Sequence, residues 1–150
     1  MTDYKLLNQQ LLALTEGVKE PVSNLANASA LLFYTLPDLN WAGFYLYKND
    51  ALLLGPFQGK HACTKIAMGK GVCGTAALQG ETLVVPDVHT FPGHIACDGA
   101  SNAEIVIPLY VGGTLYGVLD IDSPVYHRFT EEDRGGLEAF ARTLEAVLNG

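Results

Sequence analysis

The sequence predicts an α+β domain built on a central antiparallel sheet. Three observations support this. The longer helical stripes lie at the two ends of the chain, alternating runs rich in aromatic and β-branched residues lie between them, and a glycine pair joins the last two of those runs.

Residues 1–36 read as helical. Leu7, Leu11, Leu14 and Val18 recur at helical spacing. Pro21 falls where a second helix would begin, in a first turn that tolerates a missing N–H. Leu25, Ala28, Leu32 and Tyr34 continue an apolar stripe that Pro37-Asp38 ends. From Asn40 the pattern changes to a strand through Tyr47. Its alternation places Trp41, Gly43, Tyr45 and Tyr47 on one face and Ala42, Phe44 and Leu46 on the other. Asn49-Asp50 makes a turn, and Ala51–Phe57 returns as a second strand. Residues 58–70 read as irregular, residues 71–79 as a short helix, and Thr82–Val85 as a short strand ended by Pro86-Asp87. Residues 88–102 hold His89, Pro92, Gly93, His94, Cys97 and Gly99. A loop of this length in a compact domain is usually functional or mobile. Glu104–Val111 and Thr114–Asp122 form the clearest hairpin, turned at Gly112-Gly113. Thr130 is the expected N-cap of a last helix, with Glu131, Glu132 and Asp133 in its first turn and Leu137, Phe140, Ala141, Leu144 and Leu148 on its apolar face.

At 150 residues, 49% hydrophobic and 17% charged, the chain has the size and composition of one well-packed domain spanning residues 1–150, with residues 1–36 packing on the rest. A net charge of −7 with no Lys/Arg cluster argues against binding a phosphate backbone, so no nucleic-acid partner is expected. No apolar run approaches the length of a membrane span and no signal-peptide pattern opens the chain, so the expected location is cytoplasmic. Three cysteines in such a chain do not read as a disulfide framework. They are either small buried hydrophobes or groups that do chemistry.

Cys73 sits in Gly69-Lys-Gly-Val-Cys-Gly-Thr75, near the start of the short helix. The helix N-terminus and Lys70 would both favour its thiolate; otherwise it is a small residue filling a tight turn. Cys97 lies in the long loop, where Asp98 would oppose a thiolate and a protonated His94 would favour it. Cys63 also falls in irregular chain. A zinc site drawn from these cysteines with His61, His89 or His94 lacks the closely paired C-x₂₋₄-C ligands of structural zinc, so no metal is expected. Asp120 and Asp122 end an apolar strand on one face. Like charges that close raise each other's pKa when desolvated, although a strand end meeting solvent would look the same. A strict two-residue turn would put Glu104 beside Ile121, facing away from them; convergence needs a bulge, and the glycines permit one. Trp41 and Tyr45 share a face and either wall a pocket for a sulfur group or simply pack the core.

Taken together these segments resemble a GAF domain, and specifically the free methionine-(R)-sulfoxide reductases. The resemblance is carried by Asn40-Trp-Ala-Gly-Phe-Tyr45, Gly69-Lys-Gly-Val-Cys-Gly-Thr-Ala76, Val85-Pro-Asp-Val88, His94-Ile-Ala-Cys-Asp98, Ser101-Asn-Ala-Glu-Ile-Val-Ile-Pro108 and Gly117-Val-Leu-Asp-Ile-Asp-Ser123. With a helix at each end it extends over almost the whole chain, without departure at the motif positions. A generic GAF module shares the Ile-Pro and Gly-Val-Leu-Asp features but not the cysteine trio.

The resemblance implies a six-stranded antiparallel sheet flanked by N- and C-terminal helices, usually in a homodimer. It implies that Cys97 is the nucleophile, Cys63 its disulfide partner and Cys73 an auxiliary or second resolving thiol. Trp41 and Tyr45 would line the methyl-sulfoxide pocket. Glu104, Asp120 and Asp122 would contact substrate, one of them supplying a proton to its oxygen. No bound cofactor is implied; the reductant would be thioredoxin, fed by NADPH through thioredoxin reductase. Two other readings make different demands: a non-catalytic GAF sensor of a small ligand, and a thiol redox switch without substrate.

Overall fold

The aromatic run after Asn40 becomes the strand around which the sheet is built. In the computed structural model, which describes residues 1–94 and 99–150, β1 (Trp41–Lys48) pairs with β2 (Ala51–Gly59) on one side and β6 (Thr114–Ser123) on the other. With β3 (Lys65–Ala67), β4 (Leu83–Val85) and β5 (Ala103–Val111) they form a six-stranded antiparallel sheet in the order β3-β2-β1-β6-β5-β4. Four helices accompany it: α1 (Tyr4–Thr15), α2 (Pro21–Thr35), α3 (Gly71–Gln79) and α4 (Glu131–Asn149). The expected α+β class is the observed one.

The period-2 alternation divides the sheet into two chemically different faces. One carries Ala42, Phe44, Ile105, Ile107, Leu109, Leu119 and Ile121; α2 and α4 pack on it and α1 packs on those two helices, with Leu7, Leu11, Leu25, Leu32, Leu137, Phe140 and Leu144 in the shared core. These side chains are buried, and each Leu, Ile and Phe among them contributes about 1.5–3 kcal/mol of transfer free energy. The other face carries Trp41, Tyr45, Val106 and Val118 and is covered mainly by α3. The chemistry-bearing residues lie on this second face.

Polar groups fasten the helical layer. Thr130 and Asp133 form a reciprocal capping box at the start of α4. Asp133 also accepts from the Tyr4 hydroxyl at 2.5 Å and pairs with Arg128 at 3.1 Å. Burial opposes ionisation of Asp133, but the Thr130 N–H, the Tyr4 hydroxyl and the Arg128 guanidinium outweigh it and hold the carboxyl below its ordinary range. The Tyr4 ring lies so close to Gly136 that a Cβ there would fall 2.1 Å from it, so α1 and α4 meet at a glycine for steric reasons.

Several expectations change. α1 ends at Thr15, so Val18 lies beyond it, and Leu14 and Val18 are exposed. Tyr34 is 78% exposed and not part of the core stripe. β2 runs two residues past Phe57, and residues 65–67, expected to be irregular, form β3. Within the expected long loop, Val88–Thr90 makes one 3-10 turn, with the Asp87 side chain accepting from the His89 N–H. Among the described residues no helix is long and apolar enough to cross a membrane.

Candidate functional site

The register of the β5–β6 hairpin decides whether the three acids meet. Val111 faces Thr114 and Tyr110 faces Leu115, but Leu109 faces Gly117, so Tyr116 is the extra residue of a bulge. The bulge shifts all later pairing by one. Glu104 therefore lies opposite Asp122, and Val106 opposite Asp120. A one-residue change of register moves every side chain to the other face, and here it turns Glu104 toward the two aspartates. On β6's other edge Trp41 faces Asp122 and Gly43 faces Asp120. Glu104, Asp120 and Asp122 are buried, with exposures of 7%, 5% and 8%. The reading of Asp120 and Asp122 as a solvent-facing strand end does not hold.

The aromatic wall beside them is set by close backbone approach. A Cβ at Gly43 would lie 2.2 Å from the Cβ of Phe57, so only glycine lets β2 come this near. Phe57 then stacks on Trp41 with ring centres 5.1 Å apart, and Trp41 stacks on Tyr45 at 5.8 Å. The Trp41 indole N–H donates to the Lys60 carbonyl at 3.1 Å, and the Tyr45 hydroxyl donates to the Cys63 carbonyl at 3.1 Å. These bonds fix both rings and seat the Cys63 backbone beside the wall. Burial, then the nearby Asp120, pushes the Tyr45 phenol well above its ordinary pKa, so it stays a neutral donor.

Cys73 enters from the first turn of α3. Gly74 makes this possible, since a Cβ there would fall 2.5 Å from the Ala67 carbonyl oxygen. The Cys73 thiol is buried and points at Glu104, with Sγ 3.8 Å from Oε2. The expectation that the helix terminus and Lys70 would lower its pKa is overturned: burial, followed by Asp120, Glu104 and Asp122, pushes the thiol well up. The acids themselves are displaced the same way. Burial is the largest cause for both Glu104 and Asp120, followed by the charge of Asp120 on Glu104 and of Asp122 on Asp120. The cluster thus retains protons well above the usual carboxylate range, and one Asp120 oxygen, Oδ1, is buried without a hydrogen-bond partner.

A cavity of about 50 Å³ opens over these groups, bounded by Trp41, Tyr45, Cys73, Glu104, Asp120 and Asp122, with room for a few waters. Seven of the eight residues singled out in the sequence are described. Six of them line the cavity, while the seventh, Cys63, packs against the same apolar cluster. The eighth, Cys97, lies outside the described residues, as does Asp98. Residues that the sequence left unassigned also reach the cavity: Ile66, Val72 and Ser101, whose hydroxyl accepts from the Asn40 side-chain amide at 3.0 Å. Val72 and Ser101 were signalled only by their place inside motif segments, and Ile66 by nothing. His94 lines the cavity too, and burial lowers its pKa, with His89 adding to the effect. That weakens its case as a standing positive charge. Lys70 also borders the cavity. Among the described residues, the group of His, Cys, Asp and Glu side chains close enough to share a cation is Cys73, Glu104 and Asp120, a set the expected zinc spacing does not include.

A six-stranded antiparallel sheet with a polar-floored cavity on the helix-poor face defines a class, and the sequence matches that class over residues 12–148: the chain belongs to the GAF domain family. Within that family it is one of the free methionine-R-sulfoxide reductases. It is 54% identical to the free methionine-R-sulfoxide reductase of Escherichia coli over 145 residues, covering 97% of this chain and 88% of that one. Its fold matches the reduced form of the Staphylococcus aureus enzyme with a TM-score of 0.96 at 48% identity, covering 99% and 96% of the two chains. It matches the Neisseria meningitidis free methionine-R-sulfoxide reductase, solved in complex with its substrate, with a TM-score of 0.93 at 42% identity, covering 97% and 87%.

Proposed function

We propose that this protein reduces free methionine-(R)-sulfoxide to methionine with its own thiols. The observation that carries the reading is one juxtaposition: three buried carboxyl groups beneath a stacked Trp41–Tyr45 wall, with a cysteine at their edge. A sulfoxide sulfur is a poor electrophile until its oxygen is protonated, so the reaction needs a carboxylic acid that is still protonated near neutral pH. Burial and mutual repulsion shift Glu104 and Asp120 in that direction, well above the ordinary carboxylate range. The aromatic wall suits a methyl thioether, since sulfur packs well against ring edges.

The Cys97 sulfur attacks the sulfoxide sulfur while a carboxylic acid of the cluster gives its proton to the oxygen. Methionine leaves and Cys97 holds the oxygen as a sulfenic acid. The Cys63 thiolate attacks that sulfur, water leaves, and a disulfide joins the two. Thioredoxin, kept reduced by NADPH through thioredoxin reductase, restores both thiols by disulfide exchange. Cys63 suits the resolving role because it is engaged in a disulfide, whereas Cys73 is a free thiol. Cys73, held protonated against Glu104, serves as an auxiliary thiol that keeps that carboxyl in place. The ammonium of the free amino acid pairs with whichever carboxyl of the three is ionised, Asp122 being the one nearest the Trp41 end of the wall. The reductase acts in the cytoplasm as a homodimer. Leu6, Leu12, Leu14 and Val22, exposed on the two N-terminal helices, supply apolar surface for such an interface.

A single-turnover experiment without external reductant tests the thiol roles. Wild type is expected to release one methionine per chain and to form a disulfide. Cys63→Ser should release one methionine and stop at the sulfenic acid, and Cys97→Ser should release none. Methionine from Cys97→Ser at the wild-type yield would refute the assignment.

A further inference from the structure

We propose that Cys73, Glu104 and Asp120 form a binding site for a soft divalent cation, zinc or cadmium, on the floor of the cavity. One ligand atom from each lies within 4.8 Å of the other two, and all three residues are buried. The Cys73 Sγ to Glu104 Oε2 distance is 3.8 Å. A tetrahedral zinc with sulfur at about 2.3 Å and oxygen at about 2.0–2.2 Å puts those two atoms roughly 3.6 Å apart, so that pair is within a few tenths of an ångström of the required spacing, and the Asp120 carboxyl closes on it from within 4.8 Å. The three come from separate elements, α3, β5 and β6, so the spacing is set by the fold and not by one flexible segment.

A second observation points to a ligand independently. Asp120 is 5% exposed and lines the cavity, yet its Oδ1 has no hydrogen-bond partner. A buried acceptor left unpaired is costly, and a cation relieves it. One thiolate and two carboxylates suit a borderline-soft ion with mixed sulfur and oxygen preference, and disfavour magnesium or calcium, which take oxygen ligands. Binding replaces the thiol proton and any carboxyl proton with the metal, and those protons pass to solvent. Three protein ligands leave a fourth position open to the cavity.

If the cavity is the sulfoxide site, as proposed above, metal and substrate compete for it and zinc inhibits the reductase. The test of the metal site does not depend on that. Cys63→Ser/Cys97→Ser protein, whose only thiol is Cys73, is titrated with Co²⁺ as a spectroscopic stand-in for zinc. Expected is one equivalent bound, with a sulfur-to-cobalt charge-transfer band that added Zn²⁺ bleaches. Adding Asp120→Asn should weaken binding at least about tenfold, and adding Cys73→Ser should remove the band. Circular dichroism of each variant checks that the fold is kept, and Glu104→Gln gives a second ligand removal should Asp120→Asn unfold. A folded protein with Cys73 as sole thiol that shows no band overturns the site, whatever the reductase assay gives. A band that survives Cys73→Ser overturns it equally.

Discussion

Replacing Asp120 by Asn should stabilise the protein at neutral pH while lowering its activity. Asp120 is buried, faces Asp122 and Glu104, and lacks a partner for Oδ1. Its folded-state pKa is raised, so the folded protein keeps a proton that the unfolded chain has already lost above about pH 4. The unfolded state then binds fewer protons than the native one, and stability falls as pH rises, from the unfolded pKa up to the folded pKa. Each such group changes stability by about 1.4 kcal/mol per pH unit in that window. For a domain of this size, 1 kcal/mol moves Tm by roughly 2–4 °C, so one group should tilt the Tm profile by roughly 3–6 °C per pH unit. Asn has nearly the same shape and no charge. The Tm difference between Asp120→Asn and wild type should therefore grow as pH rises from about 5, as far as the folded pKa of Asp120. Taking the difference cancels groups such as Asp133, whose lowered pKa stabilises the fold above about pH 4 and ceases to as pH falls through its folded value. Differential scanning fluorimetry of both proteins across this range measures it. A constant difference, or a variant that loses ground as pH rises, would show that Asp120 ionises normally and would remove Asp120 as the proton donor.

Three further outcomes follow from the same geometry. Gly43→Ala places a Cβ against Phe57, so the sheet must open; expect a loss of about 1–3 kcal/mol by denaturant titration and a raised KM as Trp41 shifts, whereas wild-type stability would show that β2 has room to spare. Trp41→Ala removes two ring stacks and an indole hydrogen bond; expect about 3–5 kcal/mol lost and kcat/KM down by more than Trp41→Phe causes, an equal loss in both arguing against a specific wall. Thr130→Ala removes half of the capping box on the face opposite the cavity; expect about 1 kcal/mol lost with kcat/KM unchanged, and a change in kcat/KM would mean that the helical layer couples to the site.

The sequence made the sheet legible wherever alternation was strong, as in β1, β5 and β6, and made α4 legible through its cap and stripe. It failed where length and neighbours decide. β3 is three residues long and rests on pairing with β2, so no local pattern marks it. Leu14, Val18 and Tyr34 continue apolar spacings, but where a helix stops and what packs on it are tertiary facts. The convergence of Glu104 with Asp120 and Asp122 turned on one bulged residue, Tyr116; the glycine turn allowed a bulge without requiring it. Cys73 shows the same limit in electrostatics. Helix position and Lys70 were visible in the chain, but the depth of burial and three acids from distant positions, which outweigh them, were not.

The most direct test of the central claim is methionine formation from free methionine-(R)-sulfoxide and, separately, from the (S) epimer, with thioredoxin, thioredoxin reductase and NADPH. The account expects turnover of the (R) epimer alone. Turnover of neither, with fully reduced protein and with dithiothreitol also tried, would contradict it and leave the cavity as the ligand site of a sensor.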